Sequence, residues 1–258
     1  MSNSSMLSLI QNENMKIYLR ARTWIMIGLI PVILLAFAIL MKFVIKGGID
    51  HVLTFASMST NVSTLVLIFS VIVAGDIVAS EFTWGTIKLL LIRPASRSKI
   101  LLSKYVAVVL FMLGMLVVTL ICSYFIGLVF FGASGPTAGN VSFSRILGEY
   151  GLKAVDMLMA VTLSFMISSA FRSSSFAIGL SMFLMFMADP FVRILAMMQY
   201  GWVKFILFAN TNLEVYFFGG KPMLQGMTLG FSVTMLVLYW ILFYAVAWLL
   251  FTRRDVAG

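Results

Sequence analysis

An all-α integral membrane fold with about six transmembrane helices is predicted by three observations. Of 258 residues, 62% are hydrophobic and only 10% are charged, and the mean hydropathy of +1.07 lies far outside soluble globular usage. Apolar runs of about 18 residues or more recur from end to end, each long enough to cross a hydrocarbon core of roughly 30 Å as a helix. The alternating segments of about ten residues that mark a β-barrel are absent, and helices satisfy backbone groups within their own segment, as lipid requires. The whole chain, 1–258, reads as one transmembrane domain.

The elements follow in order. Residues 6–22 mix Met6, Leu7, Leu9, Ile10 and Ile17 with Gln11, Asn12, Glu13, Lys16, Arg20 and Arg22, which suits an amphipathic helix lying in the interface with a basic wet face. A first span is predicted from about Trp24 to Phe43, with Lys42 and Lys46 marking its far end. Ala36-Phe37-Ala38 has the form of a signal cleavage site, but about 22 polar or amphipathic residues precede the apolar run, which continues to Met41. A retained span is therefore expected. The connection Gly47 to Thr54 holds the single histidine, His51.

The second span, about Phe55 to Ala79, opens on Ser57, Ser59, Thr60, Asn61, Ser63 and Thr64 before turning apolar. Asn61 and Thr64 are candidates to line a pathway, or to snorkel near the interface. The third span, about Ile100 to Phe131, exceeds what a bilayer needs and has length to project beyond it. A Gly/Ser/Pro loop, Gly132 to Ser144, precedes a fourth span ending near Phe171. Arg172 to Ser175 makes a tight connection to a fifth run, interrupted at Asp189-Pro190. A mixed stretch, 199–225, contains aromatics with Asn210, Asn212, Glu214 and Lys221, and a last span runs from about Met227 to Phe251.

Basic residues set the orientation. With both termini inside, Lys16, Arg20, Arg22, Lys88, Arg93, Arg97, Lys99, Lys104, Arg172, Arg253 and Arg254 face the cytoplasm, and the other seven of the 18 lysines and arginines face out. A multi-pass protein of the cytoplasmic membrane with both termini cytoplasmic is expected. This topology explains the net charge of +9 better than nucleic-acid binding does, since no basic block is interleaved with aromatics in a polar domain.

Catalysis on this chain is not expected. One histidine and one cysteine cannot build a clustered metal site, so no metal is assigned. His51 lacks a nucleophile elbow around it. Cys122 stands alone, which excludes an intrachain disulfide. There is no phosphate-binding Gly-x-x-x-x-Gly-Lys-Ser/Thr loop, and Gly219 to Pro222 lacks its spacing and hydroxyl. If nucleotide drives this protein, another chain must bind it.

The stretch from Gly75 to Lys104 breaks the apolar pattern. Read as a helix over 81–92, it places Glu81, Gly85 and Lys88 at i, i+4, i+7 on one face. Pro94 ends that helix at Arg93, and Ser96 or Ser98 can accept backbone N–H bonds at the start of the next. Positive-inside anchoring accounts for Arg93, Arg97, Lys99 and Lys104, but not for Glu81, Thr83, Gly85 and Thr86. A glycine weakens a helix by about 1 kcal/mol relative to alanine, and close approach of another surface would rationalise it.

These residues resemble a family. The acidic-aromatic pair Glu81-Phe82, then Thr83-Trp84-Gly85-Thr86, Lys88, Leu90, the turn Pro94-x-Ser96-Arg97 and the basic start of the third span are similar to the cytoplasmic segment of type-2 ATP-binding-cassette (ABC) permeases. The interfacial N-terminal helix, the six-span layout and the closing Phe251 to Val256 extend the resemblance over essentially the whole chain. It implies a half-transporter permease that pairs with a second copy or a sister permease and recruits two cytoplasmic ABC ATPase subunits, which carry the ATP and Mg. It also implies a coupling helix at Glu81 to Leu91 that docks on the ATPase, and a re-entrant outer segment over 199–225. Alternating access would follow from nucleotide biasing a two-state element through that contact.

Further candidates carry alternatives. Asp189 and Arg193, at i, i+4 around Pro190, read as an ion pair or as a gate. Asn210, Asn212 and Glu214 read as helix caps or as lining of a vestibule. Methionine-rich apolar spans suit amphipathic or hydrophobic cargo, such as a toxic or antimicrobial peptide or a drug, and equally suit lipid-facing packing. Gly226-x-x-x-Gly230 suits close helix approach. An ion-coupled carrier or channel without an ATPase is the alternative, and it would need intramembrane carboxylates, for which Asp156 and Asp189 are the candidates. A membrane scaffold would need no coupling helix.

Overall fold

The structure is a computed structural model that describes residues 6–45, 49–85, 96–137 and 141–253. Among them are six helices long and apolar enough to cross a membrane: Ala21–Ile45, Val52–Ile77, Arg97–Phe131, Phe143–Ala170, Ser174–Met197 and Leu229–Arg253, here spans 1 to 6. No strand occurs among the described residues. The protein is an all-α, multi-pass membrane protein.

Local chemistry explains where these elements begin and end. The N-terminal helix covers Met6–Tyr18, shorter than the expected 6–22, because its last carbonyls are taken by side chains at the head of span 1. Thr23 Oγ1 donates to the Ile17 carbonyl, and Trp24 Nε1 donates to that of Tyr18 at 2.8 Å. Span 1 keeps Pro31 inside its helix and closes on a π-helical turn, Leu40–Ile45. Pro190 likewise fails to interrupt span 5, contrary to the sequence reading: the helix runs unbroken from Ser174 to Met197. Prolines are tolerated in membrane helices because neighbouring helices and local adjustments satisfy the freed backbone groups.

Span 2 is the irregular one. Helix Val52–Met58 passes through a 3-10 turn, Ser59–Val62, into helix Ser63–Ile77. The hydroxyls there fold back onto the chain, with Ser59 Oγ donating to the Phe55 carbonyl at 2.8 Å and Thr60 Oγ1 to that of Ser57 at 2.7 Å. Such back-bonding competes with the regular ladder and bends the helix. Span 3, at 35 residues, is about 52 Å long at roughly 1.5 Å per residue and outruns the hydrocarbon core. Its start is capped by Ser96, whose Oγ accepts the Lys99 N–H at 3.3 Å, as expected.

The chain divides into two compact units, one of residues 1–14, 70–109 and 155–258, the other of 15–69 and 110–154. In the second, Phe37, Phe55 and Phe131 stack around Ala38 and Ile49. A Cβ at Gly127 would stand 2.9 Å from the Phe55 ring and 3.1 Å from Val52, so span 3 lies against the start of span 2 only because residue 127 lacks a side chain. Lys42 Nζ donates to the Phe130 carbonyl and sits over the Phe130 ring. Glu149 accepts from Ser57 at 3.0 Å and from Arg145 at 3.1 Å.

In the first unit, Gly75 brings spans 2, 4 and 5 together. A Cβ there would meet Ser164 Oγ at 3.1 Å and the Ile178 Cα at 3.2 Å. Next to it Ala79, Ile167 and Ala177 form a small-residue core ringed by Leu163, Met166, Leu180 and Leu184. Tyr105 ties spans 3, 4 and 6: its hydroxyl lies 2.8 Å from Thr162 Oγ1 and accepts Trp240 Nε1 at 2.7 Å. Residues 199–225 form a 3-10 turn, Gly201–Phe205, and two one-turn helices, Leu207–Asn210 and Glu214–Phe217. They pack through Val203, Ala209 and Leu224 on Val192 and Ala196 of span 5.

Candidate functional site: a buried charge cluster behind an exposed aromatic turn

Span 2 ends at Ile77, and a five-residue helix, Ala79–Thr83, follows the bend at Val78. A bend frees backbone donors, and buried donors must be satisfied. Ser168 Oγ of span 4 accepts both, from Val78 N–H at 3.1 Å and Ala79 N–H at 3.0 Å. At the other end Thr83 Oγ1 lies 3.0 Å from the Arg172 carbonyl and accepts the Ser174 N–H at 3.2 Å. The turn between spans 4 and 5 is thereby fastened to the short helix. Ser174 Oγ also donates to Asp76 of span 2, a buried carboxylate.

The third fastening is ionic. Lys104 of span 3 is 1% exposed, and its Nζ donates at 2.8 Å to Glu81 of the short helix and at 2.8 Å to Glu13 of the N-terminal helix. Isolated, such a buried cation would cost several kcal/mol in desolvation. Two carboxylates from two other elements offset this, and each carboxylate in turn is buried against the same ammonium. The cluster therefore holds the N-terminal helix, the short helix and span 3 in one arrangement, and loss of the lysine would remove the cation that two buried carboxylates share.

Beyond the cluster the chain turns outward. Trp84 is 77% exposed, and Gly85 has φ +68° with open space where a Cβ would stand. A left-handed residue ends a helix, and glycine adopts it without the steric penalty of a side chain. Of the helix expected over 81–92, the described part stops at Thr83 and Glu81 points inward to Lys104, while 86–92 lie outside the described residues. Phe82 is half-buried. Thr86, Lys88 and Pro94 lie outside the described residues. Arg97 donates through Nη1 to the Thr252 carbonyl at 3.0 Å, so it fastens the C-terminal turn of span 6, where a cation suits the helix dipole. Trp248 Nε1 adds a bond to Ser98 Oγ at 2.8 Å.

The other sequence candidates are dispersed. Asn61 and Thr64 are exposed, and Asn61 Nδ2 donates to the Met58 carbonyl at 3.1 Å. Asp189 and Arg193 form the i, i+4 ion pair at 2.9 Å on an exposed face of span 5. Asn210 is buried and ties its own turn, donating to the carbonyls of Lys204 at 2.8 Å and Ile206 at 2.9 Å. Glu214 opens the helix Glu214–Phe217. Asn212 and Arg193 line an open cavity on span 5 and the following segment.

Sequence reasoning missed the other two members of the cluster. Glu13 reads as part of a wet face, but Leu9, Glu13 and Ile17, spaced by four, are the buried stripe of the N-terminal helix. Lys104 reads as a topological anchor, yet Leu101, Ala107, Val108 and Phe111 around it are all fully buried. That i−3, i+3, i+4, i+7 stripe was the available signal. Asp76, inside the second span as the sequence places it, is a further buried carboxylate beside the two candidates Asp156 and Asp189.

Two relatives and one family match the chain, and one relative's name carries the word membrane. The uncharacterized protein YhcI of Bacillus subtilis (strain 168) is 36% identical, over 98% of this chain and 100% of its own length. The uncharacterized membrane protein YdbK of the same organism is 31% identical, over 94% of this chain and 99% of its own length. Residues 24–257 match the family described as "Protein of unknown function (DUF2705)". The chain belongs to the DUF2705 family.

Proposed function

We propose that this chain is the transmembrane permease subunit of an ATP-driven ABC exporter of the cytoplasmic membrane, with both termini cytoplasmic. The observation that carries the reading is the Lys104 cluster. A short, largely buried helix followed by an exposed tryptophan is clamped by Glu81 to span 3, by Thr83 to the turn between spans 4 and 5, and by Ser168 to span 4. An anchor loop needs no such rigidity. A segment that receives force from a partner does, because coupling requires an element whose arrangement both sites bias.

On this reading the chain hydrolyses nothing. ATP and Mg belong to two cytoplasmic ATPase subunits, and a second permease copy or sister permease completes the pathway. Trp84 and the glycine turn form the docking tip, with Phe82 half-buried beside them, while Glu81, Thr83 and Arg97 hold that tip in place. The segment 199–225, backed against span 5, dips back at the outer face and caps the route. The cargo is amphipathic or hydrophobic, an antimicrobial or toxic peptide or a drug, in keeping with apolar, methionine-rich spans.

The test is the ATPase rate of the purified complex in vesicles. Stimulation by amphipathic peptides, with no response to sugars or polyols, is expected. A response to a sugar and none to peptides would contradict the cargo class.

A further inference from the structure

An open cavity of about 420 Å³ lies where span 5 gives way to the segment that follows it. Arg193 and Lys221 bring two cations to it, Asn212 an amide, and Met197 and Val215 an apolar floor. Lys221 is exposed. Arg193 spends its Nε on Asp189 at 2.9 Å, which leaves the outer guanidinium nitrogens to face a ligand in the fork geometry that suits phosphate. In the lining Met197 is 80% exposed, and along the same stretch of chain Ile194, Met198, Tyr200 and Trp202 are exposed at 57, 58, 43 and 55%. Tyrosine and tryptophan beside aliphatic side chains at the end of a span are the residues that settle at a membrane–water boundary.

We infer that this cavity binds an anionic phospholipid, its phosphate between Arg193 and Lys221 and its acyl chains over the exposed apolar end of span 5. Free phosphate would use only the cations and leave the apolar floor against water. A lipid uses both, and the site's position at the end of a membrane-spanning helix delivers lipid at high local concentration. Asp189 is the built-in competitor: it neutralises part of Arg193 and sets how strongly the headgroup is held. The inference stands apart from the ATPase reading, since it uses only residues of this chain.

Native mass spectrometry of the full chain, delipidated in detergent and titrated with phosphatidylglycerol, tests it. One retained lipid is expected, weakened roughly tenfold by Lys221→Glu, since a basic residue near the headgroups contributes about a factor of five to ten. Val215→Trp, which fills the cavity without touching charge, removes the same lipid. Asp189→Asn strengthens binding, a gain that a misfolded variant could not produce. Equal retention in Lys221→Glu and Val215→Trp overturns the inference, as does equal binding of phosphatidylcholine. Displacement of the lipid by millimolar inorganic phosphate overturns it too, by making a free anion the occupant.

Discussion

Lys104 Nζ and the Glu81 carboxylate meet at 2.8 Å with the lysine 1% exposed, and Glu13 closes the cluster from the N-terminal helix. The three groups together carry one net negative charge. Lys104→Met raises this to two and leaves both carboxylates buried, so it should cost about 3–5 kcal/mol. Glu81→Gln lowers it to zero and should cost clearly less. Thermal unfolding of the two purified variants checks the order, and a larger loss in Glu81→Gln would refute the assignment.

Trp84 is 77% exposed, so Trp84→Ala should leave the unfolding midpoint within error of wild type. On the proposed function it should nevertheless reduce the amount of ATPase recovered with the chain. Gly85→Ala should lower stability by about 1 kcal/mol because φ is positive there. Unchanged recovery with Trp84→Ala would remove the docking role from this turn.

Ser168 accepts two backbone N–H groups at the bend after span 2. Ser168→Ala strands both, at about 1–3 kcal/mol for each buried donor left unmet. Gly75→Leu should be destabilising by a different route, overpacking, at about 1–3 kcal/mol. The two sites fasten the same spans, so their effects should not simply add. Strict additivity in the double variant would argue that the bend and the helix crossing are independent.

Trp84 follows span 2 and Lys221 follows span 5, which puts three crossings between them. On a Cys122→Ala background, Lys221→Cys should react with an impermeant maleimide on intact cells and Trp84→Cys only after permeabilisation. The reverse pattern would invert the proposed orientation.

The spans were legible in the sequence because lipid leaves only one signal, a long apolar run, and their ends shifted by only a few residues. The cap at Ser96 was legible for the same local reason. The break at Gly85 was not, because residues 81–92 satisfy a helical pattern and only tertiary fastening at Ser168 and Thr83 shows where the helix stops. Glu81 illustrates the limit best. Its position marked it as exceptional, but whether a carboxylate faces a partner or a buried lysine 23 residues away depends on packing that spacing does not encode. Asp189 and Arg193 pair as expected, since an i, i+4 contact needs no tertiary knowledge.

The central claim is that a separate ATPase works through the clamped turn. Gentle solubilisation of the membrane and purification of the full chain tests it most directly, with the wild type compared to Trp84→Ala and Gly85→Trp. The account predicts a stoichiometric ATPase with the wild type and its loss from both variants at normal membrane insertion. A wild-type chain that purifies without any nucleotide-hydrolysing partner, or variants that retain it fully, would contradict the account.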